Sequence, residues 1–321
     1  QGVETTICLP KTAWPPTSPR AGRAPAAERP ALAARPWTRT APRDDGWRVG
    51  SFTGLSRGAH AHRDADEDAP EALNDARDGG PDEEGEVPLA AFPASAQAGL
   101  FFHEVLEHHD PALPDTLAPL VDDRLRAYGF DASAWGGRVT DALRGVLDAP
   151  LGALRLRDVP LSARMTELRF ELPAGGALTA DALAACFADH PGDYAARVAH
   201  LGFRPLRGFL AGAIDLVARH DGRWWLLDYK SNRLGPRRAD YAPERMAREM
   251  ADAHYVLQYH LYLVALHRWL GLRVPGYDWD RDVGGACYVF LRGVGEGTGV
   301  FVDRPPRARI EALDRLLREG A

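Results

Sequence analysis

The sequence predicts an α/β fold in which a mixed central β-sheet is flanked by helices. Three observations carry this. Residues 208–219 and 223–231 read as two near-continuous apolar strands joined by His220-Asp221-Gly222, the pattern of strands buried on both faces. Helical and strand periodicities are interspersed along residues 94–318, as in a sheet covered by helices. Upstream, residues 1–46 hold eight prolines, and residues 64–86 hold eleven Asp or Glu against one Arg. Neither stretch has the apolar material to offset the entropy of ordering. Residues 1–87 therefore read as a largely disordered Pro/Ala/Arg-rich and acidic linker, and residues 88–321 as one folded domain, long enough for a sizeable core.

In order, residues 47–55 could form a short strand and turn that docks elsewhere. A helix is expected over 94–109, with Leu100, Phe101, Val105 and Leu106 as its apolar stripe. His103 and Glu107 are four apart and share a face, and His108 and His109 read as charges favoured at the helix C-terminus. Helices follow over 113–128 and 135–148. A strand over 163–172 is expected to stop at Pro173 and Gly175-Gly176; its alternation puts Glu167 on the face of Met165. Short helices over 179–189 and 194–200 precede the hairpin. A loop (232–241) leads to one long helix over 243–270, whose Pro243 suits a first turn. Strands at 284–292 and 300–302 and a helix over 307–318 close the domain.

The total charge of −6 divides unevenly: the acidic run carries −10, leaving +4 elsewhere. A polyanion-binding surface on the folded part is permitted but not demanded. The three cysteines, Cys8, Cys186 and Cys287, form no C-x-x-C pair, zinc pattern or disulfide framework. That suits a reducing cytoplasm and excludes a four-cysteine iron–sulfur clamp. No apolar run of 18 residues offers a membrane span. No Gly-Lys dipeptide occurs, so a Walker A loop is absent.

The chemistry concentrates at the hairpin. Asp215 lies on its first strand, and Asp228-Tyr229-Lys230 ends the second. Residues two apart share a strand face, so Asp228 and Lys230 point one way and Tyr229 the other. Charged groups leaving such apolar strands must be solvated at an edge, paired, or bound to metal. Carboxylates suit a hard cation such as Mg²⁺, and an adjacent amine can hold or deprotonate a water. Only Lys11 and Lys230 are lysines among 39 basic residues. A compact ammonium has been kept where the rest of the chain uses arginine. Gln258 and Tyr262, four apart on the long helix, are either packing residues or a pair that holds the metal's ligands or a phosphate. A zinc hydrolase would need clustered His and Cys ligands that are missing.

Six segments in order resemble the RecB-type nuclease domain of the PD-(D/E)XK superfamily: A-G-L-F-F-H-E-V-L-E, M-T-E-L-R-F-E-L-P, G-A-I-D-L-V, L-L-D-Y-K-S-N-x-L-G, Q-Y-H-L-Y-L-V-A-L-H-R-W-L and G-G-A-C-Y-V-F-L-R-G. The resemblance implies a restriction-endonuclease-like core and a Mg²⁺-dependent deoxyribonuclease, acting mainly on single-stranded DNA in the bacterial cytoplasm. It implies His103, Asp215 and Asp228 as metal ligands, with the Tyr229 carbonyl as a further one. Lys230 would orient or activate the attacking water, Glu167 would be a supporting acid, and Gln258 and Tyr262 would complete the pocket. Helicase and recognition subunits of a RecBCD-type complex, and the recombinase RecA, are the implied partners. A non-catalytic docking module is the alternative. Helicase motor domains are absent from this sequence, and the linker would tether the nuclease to them.

Overall fold

A computed structural model of the chain describes residues 47–56 and 85–320, which fall in one compact unit. In chain order the elements are β1 (Trp47–Ser51), α1 (Phe52–Ser56), α2 (Ala96–His108), α3 (Leu117–Ala127), α4 (Ala132–Asp148), β2 (Arg164–Leu178), α5 (Ala180–Ala185), α6 (Tyr194–Ala199), β3 (Leu206–His220), β4 (Arg223–Lys230), α7 (Pro243–Asp252), α8 (Tyr255–Arg273), α9 (Trp279–Asp282), β5 (Val283–Phe290), β6 (Val300–Asp303) and α10 (Arg307–Glu319). They build the mixed sheet with helical flanks that the sequence predicts. Apart from 47–56 and 85–87, the linker expected over 1–87 lies outside the described residues.

Strand β3 is the spine of a six-stranded sheet. Along one edge β2 runs antiparallel to it for nearly its full length. The other edge is shared: β1 pairs in parallel with residues 207–211, and β4 pairs antiparallel with residues 216–220. Beyond β4 come β5, parallel, and β6, antiparallel. A parallel β4–β5 pair needs a long crossover, and α7 and α8 provide it. Around β4, β5 and the C-terminal half of β3, apolar side chains cover both faces. Leu183, Val198, Met246, Leu257 and Leu313 pack with Leu210, Ile214 and Leu226 on one side. Phe101, Val105, Val121 and Leu143 pack with Leu216, Leu227 and Cys287 on the other. Double coverage is why these strands lack polar alternation, and β5 is buried at every position. Side-chain caps define several helix starts: Ser95 accepts from the Ala98 N–H, Asp131 from those of Ser133 and Ala134, and Thr179 from that of Ala182.

The structure corrects several expectations of the elements, among them Leu100, which is exposed on α2 and not part of its buried stripe. Strand β2 does not stop at Pro173 but continues to Leu178. It is an edge strand, where a proline forfeits no ladder bond on its outer side. Gly175 and Gly176 serve close approach instead of a turn: a Cβ on Gly175 would lie 2.0 Å from the Arg318 carbonyl oxygen. The helix expected over 243–270 is two helices, broken at His254, whose φ is 53°. The break lets amphipathic α7 and α8, buried through most of its first four turns, take separate directions, and the Tyr194 hydroxyl accepts from the Leu257 N–H in the new first turn at 2.8 Å. Residues 52–56, expected as a turn, form a short helix after β1. His109 is not a terminal charge; it is buried, and burial holds its pKa below the usual imidazole value.

Candidate active site

The site lies where β3 parts from β4. Their last ladder pair on this side is Leu216 with Leu227. Past it, the Tyr229 N–H is taken by a side chain: Asp215 Oδ2 accepts it at 2.7 Å. Across β3, Thr166 pairs with Leu216 and Leu168 with Ile214, while Glu167 between them has a left-handed φ of 49°. Such a conformation costs a non-glycine residue about 1–3 kcal/mol and is retained where surrounding structure demands it. Alternation slips here on both strands. Met165, Leu168 and Phe170 pack toward one core, so Met165 and Glu167 do not share a face as expected. Ile214 and Val217 face that core, and Leu216 and Ala218 the other. The slip turns two carboxylates, Glu167 and Asp215, toward one opening.

Helix α2 brings His103 to the same place. Its Nε2 lies 3.0 Å from the Tyr229 carbonyl oxygen, and its Nδ1 lies 3.4 Å from Asp215 Oδ1. A carbonyl only accepts, so Nε2 carries the proton, and in a neutral ring Nδ1 turns its lone pair toward a carboxylate. That arrangement repels unless the ring is protonated or a cation lies close. Burial pulls the His103 pKa down, but the hydrogen bond and charge of Asp215, with the charge of Asp228, outweigh it and the net shift is upward. Burial, then the charges of Asp215 and Glu107, raise that of Glu167. Donor atoms of His103, Glu167 and Asp215 lie within 4.8 Å of one another in a partly exposed cluster. Two carboxylates and an imidazole lone pair left in mutual repulsion fit a divalent cation well. The expected ligand Asp228 stands outside this three-donor group, and Glu167, expected as a supporting acid, stands inside it.

Asp228 instead faces Lys230. Its Oδ1 is 2.7 Å from Nζ, and only 3% of the residue is exposed. Burial raises the Asp228 pKa to about 6, with Lys230 opposing that shift and Asp215 adding to it. Lys230 is raised as well: burial would lower it, but Asp228, Tyr255 and Asp215 overcome this. The amine is thus held as an ammonium, a proton donor that positions a partner rather than a base. Gln258 Oε1 accepts from Nζ at 3.0 Å and from the Tyr288 hydroxyl at 2.8 Å, while its Nε2 donates to the Tyr262 hydroxyl at 3.3 Å. The expected Gln258–Tyr262 pair therefore holds the lysine. The Tyr229 ring packs into the opposite core, as strand alternation requires.

Sequence reasoning missed the rest of this cradle. Nζ sits 4.0 Å from the Tyr255 ring centroid and 5.1 Å from that of Tyr288. Tyr255 is three residues before Gln258 on the same helix, a spacing open to inspection; Tyr288 is found only through its cross-strand pairing with Asp228. Arg292, 1% exposed, was also missed. It donates from Nε to the Ser231 carbonyl at 2.7 Å, from Nη1 to the Leu89 and Phe92 carbonyls at 2.8 and 2.6 Å, and from Nη2 to that of Pro93 at 2.6 Å. It thereby fixes the segment leading into α2, and so His103, against the end of β4.

A fold of this topology, with paired carboxylates beside a lysine where two central strands part, defines a nuclease class. The profile of the PD-(D/E)XK nuclease superfamily matches residues 77–321, and the chain belongs to that superfamily. Within it the chain is similar to RecBCD enzyme subunit RecB. The protein of that name from Mycobacterium tuberculosis is 38% identical over 86% of this chain and 29% of its own length. Its Escherichia coli counterpart is 36% identical over 85% of this chain and 23% of its own. The Haemophilus influenzae one is 51% identical over a shorter stretch, 36% of this chain and 10% of its own. The chain spans less than a third of these curated relatives. Among the described residues, no helix is long and apolar enough to cross a membrane.

Proposed function

We propose that this domain hydrolyses phosphodiester bonds of DNA, mainly single-stranded, with Mg²⁺, at ends or internally. It would serve as the nuclease module of a RecBCD-type helicase–nuclease in double-strand break repair and homologous recombination. The implied partners are helicase and recognition subunits, and RecA, in a bacterial cytoplasm. The observation that carries the reading is the convergence of His103, Glu167 and Asp215 within 4.8 Å, beside the Lys230–Asp228 pair. His103, Glu167 and Asp215 would hold the ion, with Asp228 and the Tyr229 carbonyl alongside. When bound it would neutralise charge on the scissile phosphate and acidify a water.

The chain's own residues do the positioning. Lys230, fixed by Gln258 and the Tyr255 ring, presents an ammonium that can orient an attacking water or a phosphate oxygen. Asp228 keeps that ammonium charged, and Asp215 is itself oriented by the Tyr229 N–H. A docking role alone would give this costly buried pair no task. The test is degradation of a labelled 30-nucleotide single strand by the full chain in Mg²⁺, with EDTA as control. Asp215→Asn keeps an acceptor for Tyr229 but loses the charge, and cleavage is expected to fall by more than about 100-fold, since even residues behind the ligands cost 10–100-fold. Calorimetry should show Mn²⁺ binding lost in the same variant. Cleavage that persists in EDTA, or a variant as fast as its parent, would end this reading.

A further inference from the structure

A band of sheet runs away from the site uncovered by any described element. Because β1 pairs in parallel register with β3, Trp47 stands across from Arg207, Val49 from Phe209, and Ser51 from Ala211, and directly paired residues share a face. The opposite face of this region is packed into the core through Leu206, Leu210 and Leu172. On the open face Trp47 is 61% exposed, Val49 67% and Phe209 36%, and the Trp47 and Phe209 rings meet edge to face at 6.2 Å. Between this aromatic pair and Asp215 lies an open groove of roughly 630 Å³, formed by three adjacent cross-strand pairs: Arg169 with Ala213, Phe170 with Gly212, and Glu171 with Ala211.

We infer that this face is a platform for single-stranded nucleic acid, guiding the strand between the Trp47–Phe209 rings and the Glu167–Asp215 opening. The inference rests on the nuclease reading for the direction of the strand, but not for binding itself. Four features favour a nucleic acid over a protein. The band is continuous with the site, since Phe209 precedes Asp215 by six residues on the same strand, about 20 Å at roughly 3.3 Å per residue. Its floor of Ala211, Gly212 and Ala213 leaves room for a flat base, and the groove volume falls in the range of about 300–1,000 Å³ that seats a small molecule. Exposed Arg169 and Arg207 lie along it, placed to meet backbone phosphates. Rings exposed on a strand face offer the sequence-tolerant stacking that single strands use.

The experiment separates binding from catalysis. Fluorescence anisotropy of labelled dT30 with the full chain in EDTA measures binding without cleavage. Loss of one stacking ring costs about fivefold or more, so Trp47→Ala with Phe209→Ala should weaken Kd about 25-fold, and Trp47→Phe should restore most of Trp47's share. Both side chains are exposed, so melting curves should match the parent. In Mg²⁺ the double variant should raise KM for dT30 with kcat unchanged. Hydrolysis of thymidine 5′-(4-nitrophenyl phosphate), too short to reach Phe209, should not change. Unchanged Kd and KM overturn the platform and leave the face to a protein partner. A double variant that binds more weakly than its parent, when the parent cleaves neither substrate, supports the platform and instead sinks the nuclease reading.

Discussion

Replacing Lys230 by Met strands a buried carboxylate, and the cost can be worked from the pair. At 2.7 Å and an effective dielectric near 20, the charges attract by about 6 kcal/mol. Part of that merely offsets the desolvation of two groups, and breaking one side of such pairs typically destabilises by about 3–5 kcal/mol. A domain stable by about 5–15 kcal/mol should survive this, with a lowered denaturation midpoint. The loss should depend on pH. Asp228 is already pushed up to about 6 with the ammonium in place, and without it the pKa rises further. A carboxyl whose folded pKa exceeds its unfolded value near 3.8 binds more protons when native, so stability falls as pH rises through that window. Urea unfolding of Lys230→Met should therefore show the full deficit at pH 8 and a smaller one at pH 5. Asp228→Asn added to Lys230→Met should recover most of it, because no charge is then left unpaired. An equal deficit at both pH values, or a double variant no better than the single, would refute the claim that Asp228 is charged and held by Lys230.

Two further expectations follow from packing. His260 is fully buried in α8; its Nδ1 lies 2.7 Å from the Val256 carbonyl, its Nε2 has no hydrogen-bond partner among the described residues, and burial pulls its pKa down to about 3. The unfolded chain then binds the extra proton first, so stability should decline as pH falls below about 6.5, by up to about 1.4 kcal/mol per pH unit. Chemical denaturation of His260→Phe between pH 7 and 4 should show a shallower acid slope; an unaltered slope would remove His260 as its source. Gly175→Ala should cost about 1–3 kcal/mol, because its Cβ would sit 2.0 Å from the Arg318 carbonyl oxygen. A thermal melt unchanged from the parent would show that α10 does not press on β2.

The sequence by itself determined the fold class, the β3–β4 hairpin and the shared direction of Asp228 and Lys230, because strand alternation and apolar runs are local properties of the chain. Spacing and likeness to a family together also marked His103, Glu167, Asp215, Gln258 and Tyr262, and the folded chain gathers them around the Lys230–Asp228 pair. Tertiary structure alone decided how they divide. Glu167 joins His103 and Asp215 because alternation slips at Glu167 and Asp215, a change no period of two can reveal. Asp228 turns to Lys230 because α8 and β5 wall the lysine in with Gln258, Tyr255 and Tyr288, contacts made across long stretches of chain. Pro173 and Gly175-Gly176 look like a strand end in sequence; what they permit, an outer edge and a close helix terminus, exists only once α10 has packed. The break at His254 likewise carries no glycine or proline to announce it, since it follows from two helices burying different faces.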